Sequence, residues 1–281
     1  MKFSILIANY NNGKFFKTCY ESILTQTYTN WEAIILDDCS TDDSVEVIRS
    51  IIGGDERFKL FENDKNYGVG VTKSKLIELS NGQIIGFVDP DDAITFNAIH
   101  SSVKVFKRNQ NVVLTYSNFV RCDESLIPIN IAKSTRQVRN NDKYFFNCPV
   151  QIVNFVSFRK FAYEETTKID PTLRIAEDQD LYMKLYEKGV FKFINEANYY
   201  YRMHSGGISQ NNNKEKSKEY FARVIFNTMK RRNLKKINGK TIPDHYHFPS
   251  EIYDLLQYKN SALYRIKNRV HVFLENFFKT L

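Results

Sequence analysis

Cysteine is scarce and spaced unfavourably for chemistry. Cys19, Cys39, Cys122 and Cys148 form no C-x-x-C pair, so neither a zinc knuckle nor a dithiol redox pair is indicated, and scattered reduced thiols of a cytosolic protein are expected. Long apolar runs are missing too. After Lys2 only residues 3–8 are mostly apolar before Asn9-Tyr10-Asn11-Asn12 intervenes, whereas a secretory h-region takes ~7–15 apolar residues and a cleavage site. Nowhere does a run approach the ~18 residues of a membrane-crossing helix, so a soluble or peripheral protein is expected. No Gly-Lys-Ser/Thr closes a Walker A loop, and Gly68-x-Gly70 lacks the third glycine of a dinucleotide fingerprint. No repeat or heptad array is visible. What remains is ordinary in bulk, 42% hydrophobic and 26% charged over 281 residues, enough for one sizeable core and an appendage. The net charge of +8 is compatible with nucleic acid, anionic membrane or phosphorylated substrates and does not choose among them.

Periodicity supplies the architecture. Residues 3–8, 32–36, 58–61 and 83–88 read as strands, and 13–25, the stretch marked by Val45, Ile48 and Ile51, and 70–80 as helices between them. Three strand–helix units in the first ninety residues predict a doubly wound, mostly parallel α/β sheet with helices on both faces. A helix over 95–107, a strand over 112–116, a helix over 177–188 closed by Gly189 as C-cap, and a short strand over 191–194 follow. Residues 121–150 read as long loops, which often carry specificity. Composition changes after Gly206-Gly207: the run 210–216 is polar and reads as mobile, and a basic helical region follows. The expected division is 1–209 as the main domain, with halves 1–100 and 101–209, and 210–281 as a basic helical extension.

Acidic residues stand where strands end. Asp37-Asp38 follows one apolar run and Asp89-Pro90-Asp91-Asp92 another, and Glu177-Asp178 with Asp180 opens a helix. Carboxylates at the carboxyl ends of parallel strands are where open α/β sheets build sites. Two carboxylates on one proline-restrained turn can divide their work, one on a divalent cation and one on water or a sugar hydroxyl. Asp-Pro-Asp is also an ordinary surface turn, Asp37 or Asp38 can simply cap a helix, and acids at a helix N-terminus are stabilised by its dipole. Lys73, early in a helix, can meet a phosphate or merely face solvent. His204 can complete a metal's ligand set, contact phosphate, or be structural.

Taken in order, Ile7-Ala8-Asn9-Tyr10-Asn11, Asp37-Asp38-Cys39-Ser40-Thr41-Asp42, Asn66-Tyr67-Gly68-Val69-Gly70 with Lys73, Asp89-Pro90-Asp91-Asp92, Glu177-Asp178-Gln179-Asp180-Leu181 and Tyr201-Arg202-Met203-His204 resemble the family 2 glycosyltransferases over about residues 3–209. The resemblance implies the GT-A fold, an inverting enzyme, a nucleotide-diphosphate-sugar donor (UDP by family habit), and Mn²⁺ or Mg²⁺ as cofactor. It assigns Ala8, Tyr10 and Asp38 to the nucleoside pocket with Asp38 facing the base, and Lys73 to the place where many members have arginine near the nucleotide. It puts Asp89 beside the ribose and Asp91 on the metal as the D-x-D element. Asp178 becomes the catalytic base with Glu177 its neighbour, and His204 closes over metal and diphosphate. Residues 156–160 resemble the acceptor-side stretch before the base loop. Ala8 departs from the usual proline, and 71–75 lacks the common Ala-Arg-Asn.

The implied acceptor is a hydroxyl of a glycan or lipid-linked carrier in bacterial surface polysaccharide synthesis, in the cytoplasm or at the inner face of the plasma membrane. No nucleic-acid partner is expected. Ile266, Val270, Phe273, Leu274, Phe277 and Phe278 among Lys259, Arg265, Lys267, Arg269 and Lys279 make a basic amphipathic helix, able to lie on an anionic membrane or to pack on the domain or a second subunit. Two other classes compete. A metal-dependent nucleotidyltransferase would carry a Gly- and Lys/Arg-rich phosphate loop where Asn9-Tyr10-Asn11-Asn12 stands. A non-catalytic basic module binding glycan or nucleic acid would give Asp91 and Asp178 no shared purpose.

Overall fold

Two adjacent seven-residue segments, Phe-Ser-Ile-Leu-Ile-Ala-Asn and Trp-Glu-Ala-Ile-Ile-Leu-Asp, are buried almost end to end, as befits parallel strands covered on both faces. They are β1 (Phe3–Asn9) and β2 (Trp31–Asp37) of a computed structural model describing residues 1–132, 135–204 and 214–278. In chain order follow α1 (Phe16–Leu24), α2 (Ser44–Ile52), β3 (Phe58–Glu62), α3 (Val69–Leu79), β4 (Ile84–Phe87), β5 (Ala93–Ile94), α4 (Ala98–Arg108), β6 (Val112–Cys122), β7 (Pro128–Ile131), β8 (Ser157–Arg159), α5 (Lys160–Glu164), α6 (Glu177–Tyr186) and β9 (Val190–Arg202). The last part holds α7 (Lys214–Arg231), a hairpin of β10 (Lys236–Ile237) and β11 (Lys240–Thr241), α8 (Pro249–Leu256) and α9 (Ala262–Phe278).

Among the described residues the first nine strands form one sheet in the order β3-β2-β1-β4-β8-β6-β9-β5, with β7 paired to β6. Pairing is parallel from β3 through β4 and again between β6 and β9; β8, β5 and β7 pair antiparallel. Alternation along each strand divides the interior. Leu6, Ile34, Leu36, Leu76 and Leu181 lie in the core on one face of the sheet, and Ile5, Ile7, Ile35, Ile48 and Phe106 in the core on the other. The expected α/β class and helices on both faces are therefore present.

The second half departs from expectation in detail. β6 continues six residues past Tyr116, and β9 is one thirteen-residue strand, not a short piece at 191–194. β7 and β8 arise inside stretches without a period-2 pattern. Gly189 does not cap α6, whose C-cap is Glu187. A Cβ there would lie 2.5 Å from Val113 Cγ1, so close approach to β6 is what requires glycine. The extension has a core of its own, Ile225, Met229, Ile252 and Leu256 among others, into which Phe146 inserts, while Val224 of α7 joins the main core. The boundary expected at 209/210 and the polar run up to Asn213 lie outside the described residues, as do the side chains of Phe277 and Phe278. Among the described residues no helix is long and apolar enough to cross a membrane.

One acid serves the fold alone. Glu32 is 3% exposed and accepts from Lys2 Nζ, Ser4 Oγ and the Asn81 backbone N–H, each at 2.7 Å. Burial alone would raise its pKa, but these donors together hold it down at about 2. Glu32→Ala strands the Ser4 and Asn81 donors, so a loss of about 2 kcal/mol in urea unfolding at neutral pH is expected. Because the folded-state pKa is depressed, that contribution is complete above the ordinary glutamate range and fades as pH falls toward about 2; the gap between wild type and variant should close over that window.

Candidate active site

β1, β2 and β4 run side by side, and their carboxyl ends deliver Asn9, Asp37-Asp38 and the 88–92 turn to one edge of the sheet. Asp37 is structural there. Its carboxylate accepts from Asn9 Nδ2 at 2.7 Å and from the Ser40 backbone N–H and hydroxyl at 2.7 and 2.6 Å. Asp38 holds the loop ahead of α3: Oδ1 accepts from Asn63 Nδ2 (2.8 Å) and Tyr67 N–H (3.0 Å), and Oδ2 from Gly68 N–H (2.8 Å). Ala8 is half-buried beside the core, and Tyr10 is exposed just beyond β1.

The 88–92 turn is clamped from the far half of the chain. β5 pairs antiparallel with β9, Ala93 opposite Tyr200, which brings the turn beside the end of β9. Asp92 Oδ1 accepts the Arg202 backbone N–H at 2.7 Å. The Arg202 guanidinium donates to the Asp91 carbonyl, to the Glu124 carbonyl (2.6 Å) and to Thr18 Oγ1 (2.7 Å), and lies over the Phe15 ring. The Asp89 N–H donates to the Tyr199 hydroxyl at 3.1 Å. One arginine thus ties α1, the acidic turn and the 123–126 loop together. Nothing local in the sequence marks it for that purpose.

Two groupings result. In the first, Asp91 Oδ2 and His204 Nε2 are 2.8 Å apart, with the imidazole against the Phe15 ring at 4.7 Å. In the second, Lys73, Asp89 and Asp178 line a cleft with Phe87, Asn154, Val156, Gln179, Tyr182 and Tyr199. Asp38, Asp91 and His204 are not among its lining residues; Asp91 adjoins it through the shared turn.

Two carboxylates of the cleft, Asp89 and Asp178, and Glu177 beside it act on one ammonium. Lys73 Nζ is 2.7 Å from Glu177 Oε1 and 5.4 Å above the Phe87 ring centre. Burial alone would lower its pKa, but Glu177, Asp89 and Asp178 outweigh this and drive it upward, favouring the ammonium form. Burial lifts the Asp89 carboxyl to about 6; Lys73 opposes, while Asp91, Glu177 and Asp178 add to the rise. Asp178 moves the same way. Burial is the largest cause, Glu177 adds to it, and Lys73 and the donors of Gln179 hold it back. Its Oδ1 accepts the Gln179 N–H at 2.7 Å and its Oδ2 the Gln179 side-chain amide at 3.2 Å. Asn147 Nδ2 in turn fixes Gln179 Oε1 at 2.7 Å. A carboxylate with raised proton affinity, held by a braced amide in a cleft, is suited to accept a proton from a bound hydroxyl.

α6 positions this acid because Ala176 adopts a left-handed φ of 63° before it and α3 approaches closely: a Cβ on Gly70 would be 2.8 Å from the Leu173 carbonyl. Asp180, counted in the same acidic cluster, turns away and pairs with Lys184 at 2.6 Å. Of the stretch 156–160 only Val156 reaches the cleft; Arg159 spends its guanidinium on the carbonyls of Val112, Phe106 and Asn109. Asn154, Tyr182, Tyr199 and the Asn147–Gln179 brace have no signal in the sequence beyond their polarity.

A metal at this edge would have Asp91 and His204 as donors. Among the described residues no three His, Cys, Asp or Glu side chains gather to hold an ion. The pair offers two donors, a carboxylate oxygen and an imidazole nitrogen, of kinds that divalent cations accept.

Residues 4–167 match the family model described as glycosyl transferase family 2. Chondroitin synthase of Escherichia coli is 27% identical over 243 residues, 83% of this chain but 33% of its own length. The chain thus spans about a third of that relative. The UDP-Glc:α-D-GlcNAc-diphosphoundecaprenol β-1,3-glucosyltransferase WfaP of E. coli is 28% identical over 216 residues, covering 75% of this chain and 81% of its own. The crystal structure of S. aureus TarS 1–349 superimposes with a TM-score of 0.65 at 17% identity, over 91% of this chain and 69% of that one, which establishes likeness of fold.

Proposed function

We propose that the chain, which belongs to glycosyl transferase family 2, transfers a sugar from a nucleotide-diphosphate sugar, with UDP as the nucleotide, to a hydroxyl of a glycan or lipid-linked acceptor by a single displacement. As a member it is an enzyme of the glycosyltransferase class, in a family active in bacterial polysaccharide synthesis. The observation that carries the finer reading is the cleft in which Asp178, its proton affinity raised, stands with Asp89 and Lys73. WfaP, named for transfer from UDP-glucose to a sugar on diphosphoundecaprenol, supports it.

Asp178 takes the proton of the acceptor hydroxyl as that oxygen bonds to the anomeric carbon. The bond from that carbon to the diphosphate breaks, and its electron pair leaves with the nucleotide. One displacement inverts the anomeric configuration. Glu177 holds Lys73 in place, and the ammonium opposes the rise that burial and Glu177 impose on the Asp178 carboxyl. Asp89 would accept from the ribose, and Ala8, Tyr10 and Asp38 would surround the nucleoside at the ends of β1 and β2. Mn²⁺ or Mg²⁺ at Asp91 and His204 would supply stabilisation of charge on the leaving diphosphate. The reaction would run in the cytoplasm or at the inner face of the plasma membrane, without nucleic acid, with residues 1–209 carrying the transfer and 210–281 appended.

The test is release of nucleoside diphosphate from a panel of nucleotide sugars with and without Mn²⁺. Chelation should suppress turnover and added Mn²⁺ restore it. Asp91→Asn, which keeps a hydrogen-bond acceptor for His204 but loses the charge, should cost at least about a hundredfold and blunt the response to Mn²⁺. Turnover indifferent to both would reject the metal assignment.

A further inference from the structure

α9 is amphipathic the wrong way round for a helix that merely packs on its own domain. Its half-buried positions, Tyr264, Asn268, His271, Val272 and Glu275, face the body and are mostly polar; Glu275 Oε2 accepts the Asn140 backbone N–H at 3.2 Å, and Tyr264 meets the edge of Tyr258. Leu263, Ile266, Val270 and Leu274, spaced three, four and four apart, form the opposite stripe and are 79%, 60%, 51% and 42% exposed. Arg269 flanks that stripe on one side and Lys267 on the other.

Beneath the helix runs a groove against residues 136–151. Among the described residues lining it, Arg136, Arg139, Lys259, Arg265 and Arg269 are cations, and Asp142 is the sole carboxylate. Asp142 does little to neutralise them: its nearest approach to Arg139 is 4.0 Å, and its Oδ1 is taken by the Tyr144 N–H. Lys259 is 6% exposed, its Nζ donating to the Tyr144 carbonyl at 2.6 Å and lying 5.0 Å from the Phe146 ring centre. Burial without an adequate counter-charge pulls its pKa down to about 8. A buried ammonium lining the same groove as four guanidinium groups is an arrangement that an anion would stabilise.

We propose that α9 docks on an anionic phospholipid surface, with its apolar stripe in the bilayer interface and lipid phosphate in the groove among Arg136, Arg139, Lys259, Arg265 and Arg269. An apolar stripe flanked by basic residues is the pattern of interfacial helices; charge complementarity selects an anionic surface over a neutral or basic one, and the exposed stripe selects a bilayer over a water-soluble anion. The groove also lies next to the chemistry. Cys148, Pro149 and Gln151 line it, while Val153, Asn154 and Val156 of the same segment line the cleft holding Asp178. A lipid-borne acceptor entering at the groove would therefore have its sugar one short segment away from the base. That last step rests on the transfer proposed above; the docking does not.

The experiment is co-sedimentation of the full chain with vesicles of phosphatidylcholine alone or mixed with phosphatidylglycerol, at low and high salt. Wild type should bind the mixed vesicles, lose most binding at high salt and ignore the neutral ones. Arg265→Ala/Arg269→Ala should bind roughly thirtyfold more weakly, two charges at the interface having been removed, and Ile266→Asp/Val270→Asp should not bind. All four positions are exposed, so both variants should keep the wild-type unfolding temperature. Equal binding to both vesicle types, insensitivity to either variant, or a concentration-dependent dimer abolished by Ile266→Asp/Val270→Asp would overturn the proposal. Nucleotide release by protein that ignores vesicles would leave the transfer chemistry standing.

Discussion

Asp178→Asn should lower sugar transfer roughly 10²- to 10⁴-fold, the usual worth of a positioned general base, while nucleotide-sugar binding stays near wild type. An amide keeps the size of the carboxylate and can still accept the Gln179 N–H, but it cannot take a proton. Stability should not suffer, because the substitution removes a negative charge beside Glu177 in a cleft where burial already disfavours it. Isothermal titration with the unreactive donor, set against product formation, separates the two effects. Full transfer by folded Asp178→Asn protein would remove Asp178 from the chemistry.

Lys73→Met should damage folding and activity together. The pair it breaks is largely buried, its side chains 14% and 8% exposed at 2.7 Å. Removing one partner of such a pair leaves the other charge uncompensated, at a cost of about 3 kcal/mol. Asp89 and Asp178 would also lose the one cation that lowers their pKa. The sign of the pH dependence follows. With folded-state pKa values raised further, the carboxylates take up protons more readily in the folded than in the unfolded chain, so acidification favours folding. The deficit of Lys73→Met should be largest at high pH and shrink as pH falls toward and below about 6, the value for Asp89 in the intact site. Adding Glu177→Gln to Lys73→Met should recover part of the stability, since the carboxylate in direct contact with the ammonium is then no longer stranded, while Asp89 and Asp178 still lack their cation. Denaturant midpoints of the three proteins across pH measure this; a Lys73→Met protein as stable as wild type at alkaline pH would mean that the pair does not hold the cleft.

The first half of the fold was legible because its strands are buried on both faces. β1, β2 and β4 appear as mostly apolar runs stopped by Asn9, Asp37 and the Asp89 turn, and the stops themselves marked the edge where a site would form. β8 and β5, by contrast, have three and two residues and exist because neighbouring strands complete their hydrogen bonds. β9 carries Asn195, Glu196 and Asn198 in its middle, and register irregularities where it pairs with β6 accommodate them, so its unity has no periodic signature.

The site divides in the same way. Acids ending strands or opening α6 were visible one by one, yet which of them face one another was not. Lys73 and Glu177 pair across 104 residues of sequence, and the pairing gives Glu177 a task, holding the ammonium, that its place beside Asp178 did not suggest. Asp180 and Lys184 are four apart on a helix, a spacing that favours ion pairs and was available in the sequence as a reason to set Asp180 aside. Arg202 joins Asp91, Glu124 and Thr18, partners from three distant segments, and no local pattern encodes such convergence.

The acid limb of kcat/KM for nucleotide release is the most direct probe of the cleft, since only the ionised Asp178 can accept the acceptor's proton. Burial and Glu177 raise its pKa, so activity should fall with decreasing pH at values above the ordinary aspartate range, and that limb should vanish from the residual activity of Asp178→Asn. A rate that stays level down through the ordinary aspartate range, or an identical limb in both proteins, would contradict proton transfer to Asp178.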